Sequence, residues 1–275
     1  MSTANAILCA VDPAAPEPAL AQAVHLAVAL DATLYVMEQC PAPSSSLSAQ
    51  LDQYRTASPH LSATLLDTPT AAEESDAPPV LATAHDLQAD LLVTDTPPDR
   101  GALPILAAAP TRDYALRCSH SLFVVEHEAE PATVERLLVP VDFSDGARSA
   151  LQTAVELARV YDASIDLLHV IEHAPYVALS PMDRLSLSDT TLSERRARHR
   201  LSTFLKEISL GDVSVTPHFT HGNAADQIGR AVEEKNADLL VLSAHGTDAP
   251  PASPLGAVAE TVLGRVTCPL VLVRP

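Results

Sequence analysis

At 275 residues the chain exceeds what one hydrophobic core usually organises, and 47% hydrophobic residues are enough to fill two. A formal charge of -18, with Lys206 and Lys235 as the only lysines, argues against general binding to nucleic acid or to an anionic membrane. No apolar run approaches the roughly 18 residues of a membrane span, and no basic stretch followed by an apolar one opens the chain, so a cytoplasmic location is expected.

In chain order, the apolar run Ile7-Leu8-Cys9-Ala10-Val11 closes on Asp12 and reads as a first strand. Asp31-Ala32-Thr33-Leu34 opens a second, Ala89-Asp90-Leu91-Leu92-Val93 another, and Ser121-Leu122-Phe123-Val124-Val125 the last of this half. The same series then repeats. Leu137 to Asp142 answers Ile7 to Asp12, Asp162-Ala163-Ser164-Ile165 answers Asp31 to Leu34, and Ala237-Asp238-Leu239-Leu240-Val241 recurs letter for letter. Pro269-Leu270-Val271-Leu272-Val273 falls opposite Ser121 to Val125 at the same offset. A duplicated domain follows, with residues 1-127 and 136-275 as the copies and the polar, Pro-containing stretch 128-135 as linker.

The second copy spells out its elements. Leu137 to Val141 is a strand, and Ser144 is placed to cap the helix after it, whose Ala147, Leu151, Ala154, Val155 and Ala158 share one face. Ile165 to Val170 and Val213 to Thr220 read as strands, and Asp226 to Lys235 as a helix. Leu239 to Ser243 and Leu270 to Val273 are the last strands, with a helix around Ala257 to Gly264 between them. The second copy is longer in its middle by a charged helical stretch, Leu192 to Ile208. Each copy is therefore expected to be an α/β domain with an open five-stranded parallel sheet, which binds ligands beyond the carboxyl ends of its strands.

Asp142 and Asp12 stand at such ends, where a carboxylate either accepts from a ribose hydroxyl or an adenine amino group, or caps the next helix. Cys9, Cys40, Cys118 and Cys268 show no C-x-x-C spacing and read as free thiols. The basic cluster Arg195-Arg196-Ala197-Arg198-His199-Arg200, flanked by Glu194 and Glu207, reads as a solvated helix face. His169 and His173 share no helix, and His218 and His221 lie an odd number of strand residues apart and face opposite ways, so no metal site is expected. Acidity with Arg preferred to Lys fits a saline host or GC-rich coding equally.

At the fourth strand of the second copy, Ser243-Ala244-His245-Gly246 precedes nine residues and then Gly256-Ala257-Val258. With Leu137 to Ser144, His218 to Ile228, Ala237 to Gly246 and Cys268 to Arg274, this stretch makes the chain resemble a tandem member of the universal stress protein family. The likeness covers essentially the whole second half and is weaker in the first. It implies two Rossmann-like domains similar to adenine nucleotide hydrolases. It also implies a cytoplasmic, non-enzymatic stress-response protein that binds ATP or a related adenine nucleotide in its C-terminal half, with magnesium accompanying it. Asp142 and Val170 would contact the adenosine, Pro140 would line the base pocket, and Gly246, Gly256, Ala257 and Val258 would offer amides to the phosphates, with Val141, Ser243 and His245 also counted among the cofactor-binding residues.

ATP-holding members that resemble this chain carry G-x2-G-x9-G-[ST]; here the spacing survives, but Ser243 replaces the first glycine and Ala257 the final hydroxyl. Pro250, Pro251 and Pro254 donate no amides, and Asp248 adds a charge that opposes phosphate. In the first copy Asp95-Thr96-Pro97-Pro98 lies opposite Ser243 to Gly246, and Ala108-Ala109 opposite Gly256-Ala257. Gly101 sits where the pattern asks for none, so no nucleotide is expected there. A Ser243, His245 and Asp142 hydrolase has no G-x-S-x-G elbow to support it. A weak ATP-hydrolysing enzyme and a ligand-free dimerising scaffold stay open as alternatives. The resemblance also implies that the final strands, Leu122 to Glu126 and Leu270 to Arg274, pair, either within the chain as an internal pseudo-dimer or between chains.

Overall fold

The computed structural model describes residues 4–12, 16–39, 45–67, 78–96, 104, 110–126, 134–172, 190–247 and 253–274. Most of the expected linker lies outside these residues, as do Cys40, Pro97, Pro98, Gly101, Ala108, Ala109, His173, Asp248, Pro250 and Pro251.

The first half runs β1 (Ala6–Val11), α1 (Glu17–Leu30), β2 (Thr33–Glu38), α2 (Ser45–Ala57), β3 (Ala63–Leu65), α3 (Pro79–Asp86), β4 (Leu91–Asp95), α4 (Thr111–Arg117) and β5 (Ser121–Val125). The second runs β6 (Arg136–Pro140), α5 (Asp145–Tyr161), β7 (Ser164–Ile171), α6 (Thr190–Leu205), β8 (Val215–His221), α7 (Ala224–Glu234), β9 (Leu239–Ser243), α8 (Ala257–Leu263) and β10 (Leu270–Val273). The charged stretch expected as an addition to the second half is α6, and α2 holds the corresponding place between β2 and β3. The extra length therefore lies in the connection rather than in a new element.

Repeated letters do repeated structural work. Asp31 and Asp162 both adopt the left-handed conformation that ends a helix, at φ 53° and 54°, and their amides close on Ala27 and Ala158. Asp90 and Asp238, the aspartates of the identical five-residue repeats, each accept two backbone N–H groups at the start of the neighbouring strand. For Asp90 these are Asn5 and Ala6 at 2.7 and 3.0 Å, and for Asp238 Glu135 and Arg136 at 3.0 and 2.9 Å.

The expectation of two separate five-stranded sheets is corrected. One sheet of ten strands runs β3-β2-β1-β4-β5-β10-β9-β6-β7-β8. Pairing is parallel within each half, and a single antiparallel seam sets Leu270 opposite Val124, Val271 opposite Phe123 and Leu272 opposite Leu122. The reason is that β5 and β10 end their half-sheets with apolar residues on both faces and unpaired backbone on one side, and each satisfies the other. The expected intrachain pairing of final strands is this seam.

Helices cover both faces, as a parallel sheet requires. Residues of α1, α2, α5 and α6 share one core and residues of α3, α4, α7 and α8 the other, and both cores contain side chains from each half. Ala147, Leu151, Ala154, Val155 and Ala158 of α5 are all buried, as their spacing predicts. Ser144 caps α5 by accepting from the Ala147 amide at 3.0 Å. The strand order reverses between β6 and β9 in the second half and between β1 and β4 in the first. Those two crevices are where a ligand site belongs.

Candidate functional site

Beyond the carboxyl ends of β6, β7 and β9 lies a cavity of about 360 Å³. It is lined by all ten residues singled out from the sequence: Pro140, Val141, Asp142, Val170, Ser243, His245, Gly246, Gly256, Ala257 and Val258. These come from three stretches far apart in the chain, which only the parallel pairing of β6 with β7 and β9 brings to one place. Sequence reasoning missed Leu168, Glu172, Ala224, Ile228, Leu242 and Thr247, which also line it. Thr247 directly follows Gly246, and Glu172 lies just past β7; their positions beside matched residues were the available signal.

Asp142 holds the cavity mouth together. Its Oδ1 accepts from the Ser144 amide at 3.0 Å and hydroxyl at 2.5 Å, and its Oδ2 from the Thr247 amide at 2.9 Å and hydroxyl at 3.1 Å. An ionised carboxylate has about four acceptor positions, so the protein itself fills them. The residue as a whole is exposed, but its carboxyl packs against the loop. That burial pushes its pKa up, and the bonds from Ser144 and Thr247 outweigh it and hold the carboxyl below its ordinary value. A Cβ at Gly246 would lie 2.5 Å from Asp142 Oδ2, so the glycine there permits this close approach.

The loop is likewise self-bonded. Ser243 Oγ donates to the His245 carbonyl at 2.6 Å, and the His245 amide reaches Ser243 Oγ at 3.3 Å. His245 Nε2 donates to the Ser253 carbonyl at 2.8 Å, and the Gly256 amide donates to the Ala244 carbonyl at 2.8 Å. Ser243 is thus directed at backbone, His245 is tied to Ser253, and Asp142 is bonded to Ser144 and Thr247.

Behind the mouth, Phe143 takes a left-handed φ of 67° and sets its ring 4.4 Å from that of His169. His169 Nδ1 donates to the Val141 carbonyl at 2.8 Å, which fixes the end of β6. Burial lowers the His169 pKa, the Val141 bond opposes that, and Arg200 adds to the lowering. The arginines of α6 are less simply solvated than their composition suggests. Arg200 lies over the Phe143 ring at 4.5 Å, and Arg198 lies over Phe219 at 4.6 Å while pairing with Glu194.

The equivalent crevice of the first half is bridged. Gln39 stands opposite Val170 when Asp31 is set opposite Asp162. Its Nε2 donates to the Ala10 carbonyl at 3.1 Å, Thr94 Oγ1 at 2.9 Å and Asp95 Oδ1 at 3.1 Å, which spans the gap from β1 to β4. Asp95, in the place of Ser243, is 2% exposed. Burial, with Asp12 adding to it, raises its pKa to about 7.

An open α/β sheet with helices on both faces and a cavity at its topological switch point places the chain in the doubly wound class, whose ligand sites lie at such points. The sequence pattern that describes the universal stress protein family matches residues 133–274. The chain belongs to that family. It is 27% identical over 140 residues to universal stress protein MJ0531 of Methanocaldococcus jannaschii, covering 51% of this chain and 82% of that one. It is 26% identical over 145 residues to universal stress protein YxiE of Bacillus subtilis, covering 50% and 98%. A crystal structure of a functionally unknown protein, PA1789 of Pseudomonas aeruginosa PAO1, superposes over 100% of this chain and 94% of its own with a TM-score of 0.76 at 18% identity, a likeness of fold. Among the described residues no helix is long and apolar enough to cross a membrane.

Proposed function

We propose that the chain is a stress-response binding protein that holds an adenine nucleotide in the C-terminal cavity, without turning it over, and that the N-terminal half is its structural partner. The observation that carries this reading is the convergence of all ten family-implied residues on one cavity wall. Pro140, Val141, Leu168, Val170, Ile228 and Leu242 give that wall an apolar character suited to a base. The first-half crevice is crossed by Gln39 and carries the buried Asp95 where the second half has Ser243, which supports a single site.

Residues present fit the adenosine portion of such a ligand better than a magnesium triphosphate. Asp142 and Glu172 are the carboxylates among the described lining residues, and both already hold backbone amides, Glu172 that of Ala224 at 2.9 Å. The test is mass spectrometry of small molecules released from the purified protein, followed by titration with adenosine and with ATP, the latter with and without magnesium. Retention or binding of an intact adenine compound is expected. Release of no adenine compound together with no binding of adenosine or ATP at millimolar concentration refutes the reading in favour of a scaffold, and turnover abolished by Asp142→Ala refutes it in favour of an enzyme.

A further inference from the structure

We infer that the C-terminal cavity selects the nucleoside over its phosphorylated forms, so that adenosine binds more tightly than AMP, ADP or ATP. This inference rests on the adenine reading above and adds the ligand's charge state to it.

Three observations carry it. First, three amides of the loop are already donating inside the protein, His245 to Ser243 Oγ, Thr247 to Asp142 Oδ2 and Gly256 to the Ala244 carbonyl, so that of the four amides the family resemblance assigns to phosphates Gly256 is taken and Gly246, Ala257 and Val258 are left. A phosphate drawing on the whole loop would have to break these bonds, and three prolines between Gly246 and Gly256 have no amide to replace them. Second, the charged groups of the wall have the wrong sign for a polyanion. Asp142 and Glu172 line the cavity, and no Lys or Arg does so among the described lining residues. The hydrogen bonds on Asp142 lower its pKa and keep it ionised, so this charge persists at neutral pH. Third, carboxylates only accept, which matches the hydroxyls of a ribose and the amino group of a base. A ribose hydroxyl can take the place of the Thr247 hydroxyl on Asp142 Oδ2, leaving Asp142 with the same number of bonds and turning the Thr247 hydroxyl, at the exposed mouth, to water. A cavity of about 360 Å³ lies at the small end of the range for ligand sites, in keeping with a nucleoside.

The experiment is calorimetric titration of the full chain with adenosine, AMP, ADP and ATP at low and at high salt. Affinity is expected to fall along that series, with ATP about tenfold or more weaker than adenosine at low salt and the gap narrowing as salt screens the carboxylates. ATP binding as tightly as adenosine, or more tightly, overturns the inference and leaves the adenine reading intact. Absence of binding by all four overturns the adenine reading and the inference with it. Glu172→Gln, which keeps an acceptor for Ala224 while removing one charge, should narrow the adenosine-to-ATP gap by about two- to threefold. An unchanged gap in that variant overturns the electrostatic origin of the selectivity.

Discussion

Replacing Gly146 by Ala should destabilise this protein, although alanine is the better helix former. Gly146 is the second residue of α5 and is buried against the turn after β9. A Cβ there would run into the His245 carbonyl oxygen and Ser243 Oγ, well inside the 3.0 Å below which Cβ contacts essentially never fall. The carbonyl is backbone and accepts from Ser243, so it cannot swing aside as a side-chain tip would. Overpacking of this kind costs about 1–3 kcal/mol, which exceeds the roughly 0.5–1 kcal/mol that Gly to Ala gains inside a helix. Gly229, inside α7, provides the control, since a Cβ there meets nothing within 4 Å. Gly229→Ala should therefore stabilise by about 0.5–1 kcal/mol. Urea unfolding of both variants measures the two shifts in midpoint. If Gly146→Ala is as stable as the parent, the close packing of α5 on the site loop is wrong.

Further outcomes follow from the same contacts. Asp95, with a pKa raised by burial to about 7, is protonated in the folded state where the unfolded chain ionises. The native protein should therefore lose stability as pH rises from about 4 to about 7, by a few kcal/mol at most, and Asp95→Asn should flatten that slope in thermal melts. Asp142 has the opposite sign: its lowered pKa contributes stability above the ordinary carboxylate range, lost as pH falls through the folded value, so Asp142→Asn should weaken the protein at neutral pH and flatten its acid limb. Because Asp142 is exposed, solvent screening holds that contribution to ~1 kcal/mol. Phe123→Ala removes a ring that is 1% exposed and pairs across the seam with Val271, and should cost about 3–5 kcal/mol. Since both cores run through the seam, unfolding followed by circular dichroism should show one transition displaced rather than the first half melting alone.

The sequence by itself determined the elements and the residues of the candidate site. Apolar runs of strand length, Ser144 at its cap, the buried spacing of α5 and the two copies of Ala-Asp-Leu-Leu-Val are local signals, written within a few residues of where they act. The ten residues expected at the site came from the resemblance of the second half to the universal stress protein family, whose motifs are also local, and all ten are among those lining the cavity. Tertiary structure decided what those residues face. Only the fold joins the two half-sheets through β5 and β10, because an edge strand's partner is not written next to it. Only the fold shows that Asp142 is occupied by Ser144 and Thr247, residues 2 and 105 positions away, and that Gln39 crosses the first-half crevice. Hydrogen bonds over such separations depend on which strands lie side by side, and that order is set by packing rather than by neighbouring letters.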